Sequence, residues 1–315
     1  MKKIVVIGGG SGIFNLLRGL KKYDCDITAI VSMMDSGGST GVLRNEYGIL
    51  PPGDIRKCLV ALSESTDLMK DLFEHRFEGN GSLGGHSFGN LFLTALNYVT
   101  GSDENAILEA SKILNIRGKV VPVTLDDSHL CVELEDGQKI IGETNIDIPK
   151  HNPELRIKKA FLSNPAKAHY GAIKAIEYAD IVVIGPGDLF TSVVPNLLVE
   201  GISDALKKTN AKKVYVCNLM TKNGETNFFN AEDFVDVIEQ YSKTKMDYVL
   251  VHDHSLYKVP KETLDRYRQE TAHIVRFNES SKVWDYSKLI VDDYISHPSI
   301  LRHDPEKLSK KILKL

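Results

Sequence analysis

Short, continuous apolar runs recur along the chain and alternate with amphipathic stripes. The runs are Ile4–Ile7, Ile27–Val31, Ile181–Ile184, Val214–Cys217 and Tyr248–Val251. Their length and their lack of polar alternation predict strands that are buried on both faces. Between them, apolar residues recur at helical spacing, as at Ile13, Leu16 and Leu20, which predicts amphipathic helices. Strands that alternate with helices predict an α/β fold with a doubly wound, mainly parallel sheet.

One region departs from this alternation. Between residues 120 and 162 apolar and polar positions alternate on both sides of Asp136-Gly137, which is typical of a β-hairpin. We interpret this stretch as an antiparallel β-hairpin insertion of about 120–162. It would belong to a single domain of residues 1–315 and would not form a domain of its own.

A glycine-rich turn follows the first apolar run at once and leads into a helix. Glycines allow the backbone to approach a phosphate closely, and a helix start offers free N–H groups to anions. The candidate ligand-binding residues here are Gly9, Gly10, Ser11 and Gly12. Ile13 stands where the third glycine of a dinucleotide motif belongs, so the turn does not identify the ligand. A purely structural turn is the alternative.

The loop after the second run adds carboxylates and hydroxyls. Asp35 lies at the place where dinucleotide-binding folds hold a ribose hydroxyl, and Ser39 and Thr40 follow it. Asp54 comes after Pro-Pro-Gly at a helix start, where an N-cap role is favoured over a second carboxylate beside a divalent cation. Asp35 and Asp54 are therefore the candidate catalytic and metal-binding residues.

Further polar loops follow other predicted strands or precede helices. Loops after the carboxyl ends of parallel strands line a common crevice, although turn chemistry alone is an alternative for each. His86 is more simply a hydrogen-bonded residue at a helix start than an acid–base group, and Gly185-Pro186-Gly187 is a second candidate anion site. The candidate ligand-binding residues of these loops are His86, Asn90, Gly185, Gly187, Asp188, Thr191, Asn218 and Thr221.

Composition and charge exclude several classes of protein. A formal charge of −3 over 315 residues gives no electrostatic footprint for nucleic acid, and no apolar run is long enough to span a membrane. Four scattered cysteines and an N-terminal apolar run that stops at Gly8 favour a cytoplasmic protein with reduced thiols. No Walker lysine follows the first turn, so a P-loop NTPase is disfavoured.

The chain resembles the bacterial gluconeogenesis-factor family (YvcK type), which is related to the 2-phospho-L-lactate transferases (CofD). The matching stretches, in order, are GGGSG, MDSGGSTG, GILPPGDIRKCLVAL, GGHSFGNLFLTAL, GPGDLFTSVVPNLLV, YVCNLMTKNGET and LRHDP. They cover essentially the whole chain and imply a Rossmann-like core. The chain departs from the family pattern at Ser36, where many relatives carry a second Asp, at Asp188 in place of Ser, and at Lys222 in place of Gln.

The resemblance implies a regulatory protein that binds a UDP-sugar such as UDP-N-acetylglucosamine. Such proteins are needed for cell shape and peptidoglycan synthesis during growth on gluconeogenic carbon. The implied ligand contacts include Tyr267, which can stack on uracil, and Arg302, which can bind diphosphate oxygens. The expected partner is thus a UDP-sugar or a related nucleotide diphosphate, and homo-oligomer formation is left open.

Two other functions are weighed against this one. The resemblance to the transferases implies a Mg²⁺-dependent phospho- or phosphodiester transferase in which Asp35 and Asp54 hold the cation. Whether the chain is an enzyme is therefore open, and no cofactor other than Mg²⁺ is expected. An NAD-dependent dehydrogenase is the third candidate, but the sequence has no constellation for hydride transfer.

Overall fold

The structure, a computed structural model, describes residues 1–256 and 259–315. The strands of these residues are β1 (Lys2–Gly8), β2 (Cys25–Val31), β3 (Lys119–Pro122), β4 (Leu130–Leu134), β5 (Lys139–Ile141), β6 (Ile157–Leu162), β7 (Ile181–Ile184), β8 (Lys212–Val216), β9 (Tyr248–His252), β10 (Lys288–Asp292), β11 (Ile295–His297) and β12 (Ile300–His303).

Helices flank these strands. They are α1 (Gly10–Leu20), α2 (Gly38–Tyr47), α3 (Pro52–Leu62), α4 (Asp67–Glu74), α5 (Phe88–Thr100), α6 (Asp103–Ile113), α7 (Glu143–Asp147), α8 (Tyr170–Glu177), α9 (Val194–Leu197), α10 (Ile202–Lys208), α11 (Ala231–Ser242), α12 (Lys261–Gln269) and α13 (Pro305–Leu313). A π-helical turn, Leu189–Val193, precedes α9, and a 3₁₀ turn, Lys282–Asp285, precedes β10. No helix of the described residues has the length and apolar character that crossing a membrane requires.

The central sheet has seven parallel strands in the order β10-β9-β8-β7-β1-β2-β3. The apolar runs form its middle, and Ile4–Ile7 and Ile181–Ile184 are buried along their whole length. These runs lack polar alternation because helices cover the sheet on both of its faces. The predicted fold class, a Rossmann-like doubly wound sheet, is confirmed.

The strand order reverses direction between β1 and β7. From β1 the chain runs outward to β2 and β3, and it later returns to the other side of β1 and continues to β10. In parallel sheets of this kind, ligands bind beyond the carboxyl ends of the strands at the switch point. The topology therefore predicts a ligand site at the loops after Gly8 and Ile184.

The antiparallel insertion is a three-stranded sheet in the order β5-β4-β6. The Asp136-Gly137 turn joins β4 to β5 as a hairpin, in which Cys131 pairs with Ile141. The insertion begins later than expected, at Leu130, because Val121 lies in β3 and pairs with Ile30 of the main sheet. A half-buried strand at the edge of a parallel sheet shows the same alternation as a hairpin strand, so the pattern alone does not distinguish them.

A small hairpin of β11 and β12 precedes the last helix. Its apolar side belongs to a separate buried cluster of Leu219, Val259, Ile295 and Leu301. This packing holds β12 against the segment that follows β8. Asp304 caps the start of α13, because its carboxylate accepts hydrogen bonds from the N–H groups of Glu306 (2.8 Å) and Lys307 (2.9 Å).

Candidate functional site

A cavity of about 1040 Å³ lies at the switch point. We call it the switch-point cavity. Its walls come from the start of α1, the loops after β7 and β8, α12 and β12. The residues predicted from the sequence that line it are Ser11, Gly12, Gly187, Asp188, Asn218, Thr221, Tyr267 and Arg302.

The start of α1 presents backbone donors to this cavity. Gly9 is the N-cap and has no side chain with which to bind the first-turn N–H groups, which have no partner inside the helix. The N–H of Gly10 is taken by the Asp54 carboxylate, while Ser11 and Gly12 line the cavity. The first turn of α1 therefore has the open N–H groups and positive helix end by which helix starts attract anions.

The glycines of this turn also have a packing role. A Cβ on Gly12 would lie 2.3 Å from the Pro186 carbonyl oxygen, and one on Gly10 would lie 2.5 Å from the Asp54 carbonyl oxygen. A Cβ on Gly9 would lie 2.9 Å from the Ser192 side chain. Glycine is thus required for the close approach of three loops, and phosphate binding is not needed to explain it.

Cationic side chains line the same cavity. Arg18 and Arg302 have no ion pair with any described residue, and the Arg18 guanidinium lies 5.6 Å from the centre of the Phe14 ring. Lys57 donates to the Ser11 hydroxyl and lies 3.6 Å from the Asp54 carboxylate. Two arginines without acidic partners beside an open helix start favour an anionic ligand.

Three carboxyl groups meet behind the start of α1. Asp54 is in the first turn of α3 and does not cap it, because the N-cap is Pro51. Burial raises the pKa of Asp54, and nearby Asp35 raises it further, whereas Lys57 lowers it. Glu143 of α7 has its pKa raised to about 8, first by burial and then by the charge of Asp35. The structure therefore brings Asp35 and Asp54 together, outside the wall of the cavity.

Predicted residues of α2, of α5 and of the loop before α5 are buried behind the cavity and do not line it. Ser39 Oγ lies 2.9 Å from His86 Nδ1 and accepts a hydrogen bond from Asn90 Nδ2 at 3.1 Å. Arg56 Nε donates to Asn90 Oδ1 at 3.0 Å, and Arg56 itself borders the cavity. Thr40 is buried against the start of α3. These residues support Arg56, which the sequence did not suggest.

The second predicted anion site is filled by the chain itself. The N–H groups of Phe190 and Thr191 donate to the Glu225 carboxylate at 3.1 and 3.3 Å, and the Thr191 hydroxyl donates at 3.0 Å. Glu225 is 3% exposed, and burial raises its pKa to about 7. Gly185 donates to the Ile7 carbonyl and so continues the sheet. The N–H groups of Thr191 and Gly185 thus already have partners within the chain, the Glu225 carboxylate and the Ile7 carbonyl. Their contact with a ligand stays a prediction.

The loop after β8 forms the opposite wall. Asn218 Nδ2 donates to the Gly187 carbonyl at 2.9 Å, and the Thr221 N–H donates to the His273 carbonyl at 2.7 Å. Lys222 lies 2.7 Å from Asp188 and also binds Asp147 of α7. Two departures from the family pattern, Asp188 and Lys222, are thus ion-paired with each other.

Several site residues were missed by sequence reasoning. They are Arg18, Arg56, Lys57, Glu143 and Asp147. Arg18 follows Ser11 at a spacing of seven residues on α1, which places both on one helix face and could have been used. No local signal places α7 at the crevice, since that depends on how the insertion packs.

The chain is similar to proteins of one family over its whole length. A family model described as 2-phospho-L-lactate transferase CofD matches residues 4–294. A protein named gluconeogenesis factor from Halalkalibacterium halodurans is 44% identical, over 99% of this chain and 96% of its own length. Another of that name from Bacillus subtilis is 42% identical, over 99% and 98%.

A solved structure extends this similarity to the fold. The crystal structure of a UPF0052 family member from Bacillus halodurans aligns with a TM-score of 0.93 and 43% identity. The alignment covers 99% of this chain and 100% of that chain. The similarity to this solved structure, in sequence and in backbone, therefore extends over essentially the whole chain.

Proposed function

Because the chain belongs to the 2-phospho-L-lactate transferase CofD family and is similar to its gluconeogenesis factors, we propose that it is a regulatory protein that binds a UDP-sugar. UDP-N-acetylglucosamine is the proposed representative ligand, and the switch-point cavity is its site. Binding would adjust peptidoglycan synthesis and cell shape to growth on gluconeogenic carbon. The name shared by the relatives supports the connection to gluconeogenesis.

One observation carries this proposal. Arg18 and Arg302 have no acidic partner among the described residues, and both line the same cavity as the open first turn of α1. A diphosphate satisfies all three groups, because it offers several anionic oxygens to backbone N–H groups and to guanidinium forks. A neutral ligand would leave the arginines without a counter-charge.

The remaining walls suit the two ends of a nucleotide sugar. Tyr267 of α12 offers a ring on which uracil can stack. Asp188 and Asn218 line the cavity close to Gly187, and carboxylate and amide groups bind sugar hydroxyls well. The diphosphate would lie between these ends, at the start of α1.

Isothermal titration calorimetry tests the proposal. UDP-N-acetylglucosamine should bind to one site per chain, and UDP should compete with it because UDP retains the diphosphate. Uridine is the matched control and should bind at least tenfold more weakly, since it has no phosphate. The absence of heat with any UDP-sugar at high protein concentration would contradict the proposal.

A Mg²⁺-dependent phospho- or phosphodiester transferase is the second candidate. The proximity of Asp35 to Asp54, whose carboxylate accepts the N–H of Gly10, favours it, because carboxylate oxygens are ligands that Mg²⁺ prefers. A cation held by Asp35 and Asp54 would supply charge neutralisation at a leaving phosphate. Asp54 would also keep its hydrogen bond to Gly10 and so orient the start of α1.

Chromatography of nucleotide products tests this candidate. The purified protein with Mg²⁺ should release a nucleoside monophosphate from a nucleotide-diphosphate donor, and Asp35→Ala should abolish the release. If no donor yields a nucleotide product, the transferase function is excluded while the binding function stands.

A further inference from the structure

The ammonium of Lys222 lies among three carboxylates in the wall of the switch-point cavity. It is 2.7 Å from Asp188 Oδ2 and 3.4 Å from Glu225 Oε1, and it also binds Asp147 Oδ1. An ammonium has three N–H donors; here it donates hydrogen bonds to Asp188 and Asp147 and forms an ion pair with Glu225. Lys222 is therefore already committed to the protein and is not free to bind a ligand phosphate.

The three carboxylates have the arrangement of a metal-ligand set. One oxygen from each of Asp147, Asp188 and Glu225 lies within 4.8 Å of the others. Carboxylates at such distances repel one another unless a cation lies between them. In this chain that cation is the ammonium group of Lys222.

The carboxylates come from separate parts of the fold. Asp147 ends α7 of the insertion, Asp188 follows β7, and Glu225 follows β8 and holds the N–H groups of Phe190 and Thr191. A single ammonium thus joins the insertion to two loops of the main sheet.

Helix α7 is fixed at its other end as well. The N–H of Thr144 donates to Ser36 Oγ at 3.1 Å, after β2. The helix therefore crosses the crevice from the loop after β2 to the loop after β8. Ile148 and Pro149, which directly follow α7, line the cavity, so the position of α7 sets one of its walls.

We propose that Lys222 is a positioning residue that acts as the built-in cation of this wall. Its ammonium takes the place that a divalent metal would fill among Asp147, Asp188 and Glu225. In this way it holds α7 across the crevice without a metal ion. The inference concerns the shape of the cavity and goes beyond the identity of the nucleotide that enters it.

Manganese binding to the full chain without nucleotide tests this inference. Lys222→Met keeps an unbranched side chain one heavy atom shorter and removes its charge, so the three carboxylates should then bind one Mn²⁺ more than the wild type does. Electron paramagnetic resonance counts the bound Mn²⁺. Lys222→Arg keeps the charge and should show no gain, and in Lys222→Met combined with Asp188→Asn the gain should disappear.

Thermal unfolding gives a second readout. Lys222→Met should unfold several degrees below the wild type in EDTA, and millimolar Mn²⁺ should restore at least half of the loss. Lys112→Met, which removes an exposed lysine of α6, is the control and should respond to neither. If Lys222→Met is insoluble, Lys222→Gln is used for the same comparison.

Three results would overturn the inference. They are no additional Mn²⁺ in the uncharged variant, a thermal loss that Mn²⁺ does not reduce, or a gain that survives the loss of Asp188. None of these measurements uses a UDP-sugar, so failure of the proposed ligand and failure of the Lys222 inference remain distinguishable.

Discussion

At the scale of single residues, Glu143 holds a proton that an ordinary glutamate has lost at neutral pH. Burial and the charges of Asp35, Asp147 and Asp54 raise its pKa from 4.5 to about 8. An acid whose pKa is higher in the folded than in the unfolded chain stabilises the fold fully at low pH. This stabilisation is lost as the pH rises from about 4.5 through 8.

Glu143→Gln should remove this pH dependence, because the amide resembles the protonated carboxyl and cannot ionise. The midpoint of thermal unfolding of the variant, relative to wild type, should rise between pH 5 and pH 8 and level off above. The difference in unfolding free energy between the variant and the wild type should grow by at most about 1.4 kcal/mol per pH unit. Glu154→Gln, at an exposed position of the same insertion, should follow the wild type. Parallel curves for Glu143→Gln and wild type would contradict the assignment.

Arg302 should contribute much of the affinity for a diphosphate. A hydrogen bond to a charged group contributes about 1.5–3 kcal/mol, so Arg302→Ala should weaken UDP-sugar binding by roughly 10- to 100-fold. Arg268→Ala is the matched control, because Arg268 pairs with Asp265 on α12 at 3.3 Å and does not line the cavity. Calorimetry of both variants tests this prediction. If Arg302→Ala bound the UDP-sugar as tightly as the wild type does, Arg302 would be excluded from the site.

Sequence reasoning predicted the cavity residues of the turns after strands better than it predicted the cavity residues with long charged side chains. Ser11, Gly12 and Gly187 were predicted because a turn after a buried strand has a known place in the fold. Arg18 and Lys57 were missed because the direction of a long side chain depends on which helix packs beside it. The partner of the Thr191 N–H group, Glu225, could not be predicted because it lies 34 residues away in the sequence.

At the scale of elements, the first turn of α1 and the loop after β7 are in direct contact. A Cβ on Gly12 would meet the Pro186 carbonyl oxygen at 2.3 Å and the Gly187 Cα at 2.5 Å. Both partners are backbone, so they cannot move aside as a flexible side chain could. The two loops that border the crevice therefore depend on this glycine.

Gly12→Ala should separate these two loops. We expect a loss of about 1–3 kcal/mol in the free energy of unfolding, as for other overpacked sites, and a midpoint several degrees lower. Gly81→Ala is the control, because a Cβ there meets no atom within 4 Å. Denaturant unfolding of the two variants checks the prediction. If Gly12→Ala were as stable as Gly81→Ala and the wild type, the loops would be able to rearrange around the added methyl group.

The sequence predicted the long elements and missed the short ones. Continuous apolar runs and helical stripes located β1, α1 and β7, because their burial leaves a strong pattern. Helix α7 has only five residues, which is too few for a periodic signal. Strand β3 was assigned to the insertion because its alternation fits a sheet edge and a hairpin equally well.

At the scale of the whole molecule, the topology gathers distant parts of the chain at one crevice. The carboxyl ends of β1, β7 and β8 meet there because the strands are parallel and adjacent. The insertion, α12 and β12 complete the walls. The parallel sheet could be predicted from the alternation of strands and helices, whereas the position of these three elements depends on tertiary packing.

Hydrogen–deuterium exchange should reveal this convergence. A saturating UDP-sugar should slow exchange in segments around Ser11, Gly187, Asn218 and Arg302, which contribute to one cavity. Helix α4, which lies outside the cavity apart from Glu74, is the internal control and should exchange at an unchanged rate. Protection limited to a single segment would show that the ligand binds elsewhere.

The placement of Arg302 on β12 has a consequence for protein synthesis. Ser11 leaves the ribosome before Arg302, which emerges only after the whole central sheet has been translated. A nascent chain that ends before β12 would have the glycine turn but would lack Arg302, which lines the cavity and has no ion pair with the described residues. Under the proposed function, chains that end before β12 would therefore bind the nucleotide weakly and would not compete for the ligand.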